Sequence, residues 1–309
     1  MFFGILVLAS DILGLPFQLY GTFVLEEKYG FNRTTLKTFI SDKLKGYVLG
    51  ALLGGSLLAL FIILYQALGA DFWMYMLLVF ALFMIVMNMF YASWILPLFN
   101  KLTPLPEGEV RSAIEAYCKK NNFGLSNLFV LDGSKRSAKA NAFFSGMGSK
   151  KKIVLFDTLV NNYSTDELVA VLAHEVGHYK KKHTALGLIL GLIQVAIMLF
   201  LLSRFINNSL FSEALGATEY SLSLSLIAFT LIYSPLSLVI SLLMNWLSRK
   251  NEFEADAYAR STYKAEALIS ALKKLSTDSL SNLTPHPLYV FFYYSHPPLY
   301  ERVKALNNN

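Results

Sequence analysis

Charged residues and cysteines are both scarce in this chain of 309 residues. Charged residues make up 16% of it, whereas soluble domains carry about 25%, and the mean hydropathy is +0.47. This composition argues against a soluble protein. Cys118 is the only cysteine, which excludes an intrachain disulfide and indicates a reducing compartment. We interpret Cys118 as a small apolar residue, not as a catalytic thiol. The net charge of +6 requires no nucleic-acid partner, because membrane proteins concentrate Lys and Arg at the cytoplasmic face.

Five apolar stretches predict membrane-spanning helices. Each approaches or exceeds the roughly 20 residues that cross a hydrocarbon core, and they comprise residues 1–24, 46–69, 72–99, 184–203 and 222–247. The predicted organisation has four parts: three spans with a polar loop at 26–45, a polar region with strands, two further spans, and a polar tail. These parts occupy residues 1–99, 100–182, 183–247 and 248–309.

The distribution of Lys and Arg predicts which side of the membrane the polar parts face. With five spans, residues 26–45, 100–182 and 248–309 lie on one side and hold 5, 13 and 8 of the 27 basic residues. The opposite side holds only Arg204. We therefore expect the polar parts to face the cytoplasm, from a bacterial inner membrane or an endoplasmic-reticulum membrane depending on the host.

Residues 100–182 have a mixed α and β pattern. The segments "SNLFVLDG" and "KKIVLFDTLV" predict short strands, and "SAKANAFFSGMGSKKK" between them predicts another strand and a turn. "RSAIEAYCKK" has helical periodicity. Ser164 and Glu167 form a predicted capping box, so a helix should begin near residue 165. No breaker follows before Asn207, which predicts one continuous helix to about residue 203, entering the membrane at its far end.

The HExxH pattern occurs at His174-Glu175-Val176-Gly177-His178. Two histidines four residues apart share a helix face and can direct ring nitrogens at one ion. Glu175 lies beside the metal without binding it, so it can take a proton from the attacking water and pass it to the leaving amine. We predict one Zn²⁺ per chain, with a chance match as the alternative.

Catalytic zinc usually has three protein ligands and one open position, and the segment "LSRKNEFEADAYA" offers the third. Glu252 and Asp256 are four residues apart on a predicted helix, so one can bind metal while the other orients a ligand histidine. Glu254 points roughly to the opposite side and is the weaker candidate. His178 lies roughly 9 Å before one apolar run and Glu252 roughly 7.5 Å after another. This agreement in height favours Glu252 as a ligand, with a solvated carboxylate as the alternative.

Several sequence blocks resemble the type I CAAX prenyl proteases, which are integral-membrane zinc endopeptidases. The blocks are "LPFQLYGTFVLEEKYGFNRTT", "NKLTPLPEGEV", "LDGSKRSAKANAFFSGMGSKKKIVLFDTL", "LVAVLAHEVGHYKKKH", "NEFEADAYA" and "SHPPLYERVKAL". The resemblance implies an all-α polytopic membrane protein with a small α+β zinc-metallopeptidase domain, whose HExxH helix we expect to continue into a membrane helix. It also implies a catalytic base and three zinc ligands, namely Glu175 and His174, His178 and Glu252.

The resemblance implies four further site residues, which are Asp256, Asn141, His296 and Arg302. Asp256 would orient a ligand histidine and Asn141 would hold the substrate backbone. His296 would donate to the developing oxyanion, and Arg302 would support the ligand or carbonyl network. Without the resemblance, His296 would be a helix-start histidine and Arg302 a surface arginine. Of the other histidines, we interpret His183 as a residue at headgroup level and His286 as part of a turn.

The predicted function is hydrolysis of peptide bonds near the C-terminus of prenylated CAAX-type or other membrane-associated substrates. The expected partners are a peptide or protein substrate and the lipid bilayer, with no nucleic acid. The alternatives are a stress-induced membrane quality-control zinc protease and a non-catalytic membrane scaffold. A site-2 protease is disfavoured, because its LDG element should follow HExxH, whereas residues 131–133 precede it. The family has seven membrane helices, and this chain is expected to begin at the third, which leaves open whether the chamber closes.

Overall fold

The computed structural model describes residues 2–124, 127–146 and 151–308. Within these residues the α-helices, in chain order, are α1 Phe2–Tyr20, α2 Leu36–Leu49, α3 Gly55–Leu68, α4 Phe72–Trp94, α5 Leu96–Phe99, α6 Glu109–Lys120, α7 Asp157–Asn162, α8 Thr165–Lys180, α9 His183–Phe205, α10 Leu210–Glu213, α11 Leu222–Thr262, α12 Ala265–Asp278, α13 Pro287–Tyr293 and α14 Leu299–Asn307. The strands are β1 Leu102–Pro104, β2 Leu128–Leu131, β3 Ala142–Ser145 and β4 Lys152–Phe156.

Among the described residues, four helical segments are long and apolar enough to cross a membrane, namely Phe2–Glu26, Leu36–Phe99, His183–Phe205 and Leu222–Thr262. The second has 64 residues, about 96 Å at 1.5 Å per residue, far longer than the roughly 30 Å hydrocarbon core. A 3₁₀ turn at Gly69–Asp71 interrupts it. Gly69 has a φ of 56°, which glycine adopts with little steric strain because it has no Cβ. This segment contains both apolar runs predicted at 46–69 and 72–99. The prediction of a polytopic helical membrane protein with a small sheet is confirmed.

One compact unit contains residues up to 84 and residues 189–240. Its core is formed by buried apolar side chains of α3, α4, α9, the turn after α9, and α11: Phe61, Phe72, Met76, Leu199, Leu202, Ile206 and Phe229. Phe61 and Phe72 meet edge to face across the Gly69–Asp71 turn, with ring centroids 5.1 Å apart. The Tyr65 hydroxyl donates to Oδ1 of Asn207 at 2.6 Å, an exposed contact between α3 and the turn after α9.

The second compact unit contains residues 85–188 and those from 241 onward. Its four described strands lie in the order β1–β2–β4–β3. β1 and β2 are antiparallel, β2 and β4 parallel, and β4 and β3 antiparallel, so β3 lies at an edge. Ile153 and Leu155 of β4 belong to the main buried cluster with α6, α8 and α12, whereas Val154 belongs to a separate cluster on the other face. Alternate residues of the strand therefore serve two cores.

The predicted continuous helix from residue 165 to about 203 is wrong, because the helix breaks between α8 and α9. Lys182 has φ of 61°, in the left-handed region that non-glycine residues rarely enter. Its backbone N–H bonds to the Tyr179 carbonyl at 3.0 Å, and that of Lys181 to Gly177 at 2.9 Å, which closes the end of α8. No glycine or proline marks this break, so helix-breaker signals do not predict it.

The strands predicted by the alternating segments are present, with changes at their ends. Asp157 begins helix α7, so "DTLV" is helical instead of extended. The Asp157 carboxylate accepts the backbone N–H of Ser134 at 2.8 Å and that of Thr158 at 2.8 Å, which favours a turn over continued sheet pairing. β1 was not predicted. The predicted turn at residues 147–150 lies outside the described residues.

Candidate metal centre

Helix α8 carries the HExxH residues and is held at its first turn by an extended capping box. The Ser164 hydroxyl accepts the backbone N–H of Glu167 at 3.3 Å, and the Glu167 carboxylate accepts that of Ser164 at 2.9 Å. The same carboxylate accepts from Ser270 at 2.6 Å and from Lys274 at 2.8 Å, both on α12. The predicted helix start and capping box are confirmed, and the cap also joins α8 to a second helix.

Helix α8 is unusually buried and packs closely against α11. Nearly every residue from Glu167 to Gly177 is buried, as expected of a central core helix. A Cβ added at Gly177 would lie 3.0 Å from the Ala255 carbonyl oxygen and 3.1 Å from the Ala255 Cα. The absence of a side chain at Gly177, with the small residue Ala255 opposite, therefore allows the two helix backbones to approach.

This approach brings three donor residues together. Nε2 of His178 lies 3.1 Å from Nε2 of His174 and 3.2 Å from Oε1 of Glu252, and Nε2 of His174 lies 3.5 Å from Oε2 of Glu252. Four ligands placed tetrahedrally around Zn²⁺ at 2.0–2.1 Å are separated by about 3.3 Å. The spacing and the N,N,O donor set therefore fit a zinc site with three protein ligands.

Asp256 and Arg302 lie directly behind the His174 ligand. Oδ1 of Asp256 is 2.9 Å from Nδ1 of His174. Arg302, only 9% exposed, donates twice to Asp256, from Nε at 2.8 Å and from an Nη at 2.7 Å. Its other Nη lies 3.3 Å from Glu252. Arg302 is thus a buried residue that holds two carboxylates in place, not the surface arginine that its local sequence predicts.

The charges at the centre suit a divalent cation. Two buried carboxylates, Glu252 and Asp256, face one buried cation, Arg302, so negative charge remains to be balanced. Although burial alone would lower the pKa of His174, the Asp256 and Glu252 carboxylates raise it to about 9. A proton and a metal ion would therefore compete for the same nitrogen. Burial raises the pKa of the Glu175 carboxyl, which moves that group towards the range of a general base at neutral pH.

A cavity of about 540 Å³ opens over these donors. It is lined by the three donor residues and Glu175, and also by Asn141, His296 and Arg302. Asn141 immediately precedes the edge strand β3 and its Oδ1 accepts the backbone N–H of Ala142 at 2.8 Å. The His296 side chain is 65% exposed, and its Nε2 lies 3.5 Å from Oε1 of Glu252. Every residue predicted for the site therefore lies at this cavity or directly behind it.

Two residues next to the donors were given other interpretations from the sequence. His183 is only 8% exposed, and its Nδ1 lies 3.0 Å from Nδ1 of His178. Glu254, the weaker ligand candidate, lies 3.3 Å from Nε2 of His183. The interpretation of His183 as a residue at headgroup level does not fit these contacts. The spacing HExxHxxxxH contains a signal for it, although a continuous helix would have directed His183 away from His178.

Comparison with known proteins gives matches over the whole chain. Residues 104–309 match the model of peptidase family M48, and residues 1–101 match that of the CAAX prenyl protease N-terminal region with five membrane helices. CAAX prenyl protease 1 of Saccharomyces cerevisiae is 36% identical over 99% of this chain and 71% of its own length. The probable CAAX prenyl protease 1 of Schizosaccharomyces pombe is 40% identical over 98% of this chain. The chain spans 64% of that relative's length, less than two thirds.

A solved structure shows the same fold. The crystal structure of S. mikatae Ste24p superposes with a TM-score of 0.94 at 36% identity. The match covers 99% of this chain and 75% of that one.

Proposed function

Because the chain belongs to peptidase family M48, we propose that it is a membrane-embedded zinc endopeptidase. The proposed substrates are membrane-associated proteins, cleaved near a C-terminus of the CAAX type that carries a prenyl group. The observation that carries the proposal is the cluster of His174, His178 and Glu252 at zinc-ligand spacing, beside Glu175 and inside an open cavity. Peptide hydrolysis needs these parts together: a metal site with a free position, a base next to it and room for a substrate.

The three donor residues would hold one Zn²⁺, with Asp256 fixing the orientation of His174. A bound zinc ion supplies Lewis acidity that polarises a peptide carbonyl and acidifies water. Glu175 takes the proton of the attacking water and delivers it to the leaving amine nitrogen. The burial that raises the pKa of Glu175 strengthens the carboxylate as a base.

His296 would stabilise negative charge on the scissile carbonyl oxygen. Nδ1 of His296 lies 3.0 Å from the Ser295 hydroxyl, which leaves Nε2 directed at the cavity near Glu252. A donor positioned in advance stabilises the oxyanion more than the ground-state carbonyl, and loss of one such donor costs about 3–4 kcal/mol in other hydrolases. Arg302 contacts Asp256 and Glu252, so it acts on the reaction through them, as a positioning residue.

The edge strand β3 would bind the substrate backbone. Residues 141–144 line the cavity, and among the described strands β3 pairs with β4 alone. An extended peptide can pair with such an edge through main-chain hydrogen bonds, which give affinity without selecting one sequence. Asn141 would bond to the peptide at the start of the strand. This mode suits an enzyme that must accept varied C-terminal sequences.

The preference for a prenylated CAAX tail is inferred from the names of the two fungal relatives. The basic residues of segments 26–45, 100–182 and 248–309 support a cytoplasmic catalytic centre. We place the chain in the endoplasmic-reticulum membrane of a eukaryote or the inner membrane of a bacterium. There the centre would meet substrates that are themselves anchored in the bilayer.

The test compares the protein with Glu175→Gln in detergent micelles. Each is assayed with a farnesylated CAAX peptide and with the same peptide unprenylated, and each is analysed for bound zinc. We expect about one zinc per chain in both proteins and faster cleavage of the farnesylated peptide by the parent. Loss of the base should reduce cleavage by at least about 100-fold.

Three outcomes would contradict parts of the proposal. Undiminished cleavage by Glu175→Gln would contradict peptidase chemistry at this centre. Equal cleavage of both peptides would contradict the prenyl preference and favour a general quality-control protease. Zinc binding without cleavage of either peptide would favour a non-catalytic scaffold.

A further inference from the structure

The two candidate histidine ligands have different partners behind them. Nδ1 of His174 faces a carboxylate directly, with Oδ1 of Asp256 at 2.9 Å. Nδ1 of His178 faces another imidazole, with Nδ1 of His183 at 3.0 Å. A ligand histidine normally donates its second N–H to an acceptor that fixes the ring and its tautomer. His183 stands where His178 needs that acceptor.

The break between α8 and α9 is what places His183 there. On a continuous α-helix, a residue five positions on lies about 140° around the axis, too far for the two rings to meet. The left-handed conformation of Lys182, with φ of 61°, ends α8 and turns the next residue back. The rings of His178 and His183 then meet edge to face, with centroids 5.1 Å apart.

The tautomers required along the series His178, His183 and Glu254 are mutually consistent. If His178 binds metal through Nε2, its Nδ1 carries the proton and donates. His183 must then accept at Nδ1, so its own proton is on Nε2. That Nε2 lies 3.3 Å from Oε2 of Glu254, which is acceptor-only when ionised. Every donor on the path therefore has an acceptor, and a carboxylate ends it.

We propose that His183 and Glu254 are positioning residues that hold His178 in the tautomer and orientation for metal binding. The inference rests on the metal centre proposed above and extends it. Asp256 supports the ring of His174 by direct contact, and Glu254 supports the ring of His178 through the imidazole of His183. His183 is 8% exposed and Glu254 40% exposed at the side chain, so the hydrogen-bonded path from His178 passes through a buried imidazole to the surface of the catalytic unit.

The test measures affinity for the metal alone. The apo forms of the parent, His183→Phe and Glu254→Gln are titrated with Zn²⁺ against a chromophoric chelator in detergent. Phenylalanine keeps the ring in its buried site but cannot accept from His178. We expect a 10- to 100-fold loss of zinc affinity for His183→Phe and a smaller, severalfold loss for Glu254→Gln, whose amide oxygen still accepts.

Two further readouts separate positioning from folding. The visible spectrum of the Co²⁺-loaded protein should change in His183→Phe, because the ligand ring has moved, while the melting temperature of the apo protein should not. The matched control is His286→Phe, which removes a histidine at the start of α13 and should leave zinc affinity and the Co²⁺ spectrum unaltered.

Unchanged zinc affinity and an unchanged Co²⁺ spectrum in His183→Phe would overturn the proposal. If that variant does not fold, Glu254→Gln decides in its place, since the Glu254 side chain is partly exposed, and unaltered affinity there would overturn the proposal too. Failure of the proposed function would look different, because the parent itself would then bind no zinc or cleave no peptide.

Discussion

Replacing Gly177 by alanine has two opposing effects on stability: it raises the helix propensity of α8 and it crowds the contact between α8 and α11. In an open helix, Gly→Ala gains about 1 kcal/mol. Here the new Cβ would lie 3.0 Å and 3.1 Å from backbone atoms of Ala255 and 3.2 Å from Cβ of Tyr258. Carbon atoms prefer 3.5–4.0 Å, so the helices would have to separate by about 0.5 Å.

The clash outweighs the propensity gain. Forcing an extra methyl group into a packed site costs about 1–3 kcal/mol, which leaves Gly177→Ala destabilised by about 1 kcal/mol. Separation of the helices also lengthens the 3.2 Å distance between Nε2 of His178 and Oε1 of Glu252. We therefore expect zinc affinity to fall at least about tenfold, comparable with losses from disturbing ligand support.

Gly187→Ala is the matched control, since a Cβ at Gly187 would meet nothing within 4 Å. That variant should gain about 1 kcal/mol and keep its zinc affinity, so the two alanine variants should differ by about 2 kcal/mol. Melting temperatures in detergent and chelator competition measure both quantities. A Gly177→Ala protein as stable as Gly187→Ala, with the parent's zinc affinity, would refute the close-contact explanation.

Four further predictions follow from single contacts. Arg302→Gln leaves two buried carboxylates, Asp256 and Glu252, without their shared cation and should cost about 3–5 kcal/mol. The loss should be smaller in an Asp256→Asn background, where only Glu252 still needs the cation, and an equal loss there would contradict the pairing with Asp256. Although burial alone would raise the pKa of Glu167, its hydrogen bonds to Lys274 and Ser270 hold that pKa at about 2, below the ordinary 4.5. The ionised carboxylate therefore contributes up to about 3 kcal/mol to the free energy of unfolding above pH 4.5, and this contribution is lost as the pH falls towards 2. The difference in melting temperature between the parent and Glu167→Gln should therefore shrink between pH 6 and pH 3, and a constant difference would argue otherwise. Lys182→Gly removes a left-handed non-glycine residue and should stabilise by about 1 kcal/mol; a lower melting temperature would count against the assigned backbone. Burial raises the pKa of Cys118 to about 11, so alkylation at pH 8 should be far slower than in denaturant, and equal rates would show that the thiol is accessible.

Much of the centre was predictable from local sequence patterns. The HExxH spacing puts two histidines on one helix face in any α-helix, and the capping box places the start of that helix at Thr165. The height of Glu252 relative to its apolar run favoured it as the third ligand. The resemblance of the motif blocks to the prenyl proteases is confirmed by the family to which the chain belongs.

Other features depend on contacts between distant segments. Arg302 has no local feature that distinguishes it from a surface arginine, and its burial arises because α14 brings it against α11. His183 and Glu254 meet only because α8 ends at Lys180, and the residues at that break are lysines instead of glycine or proline. Local propensity cannot predict a backbone turn that is stabilised by side chains 71 residues apart.

By itself the sequence determined the membrane-spanning character, the start of the candidate metal-binding helix and the spacing of its two histidines. These properties depend on composition and on periodicities within one helix, which short-range sterics and hydrogen bonding impose. Tertiary structure decided how closely α8 and α11 approach, which side chains support each ligand, and where the helix breaks. Those outcomes depend on packing and on burial of charge between segments far apart in the chain. There the interaction free energy arises only when both residues of a contacting pair are present, so neither residue's local sequence can predict it.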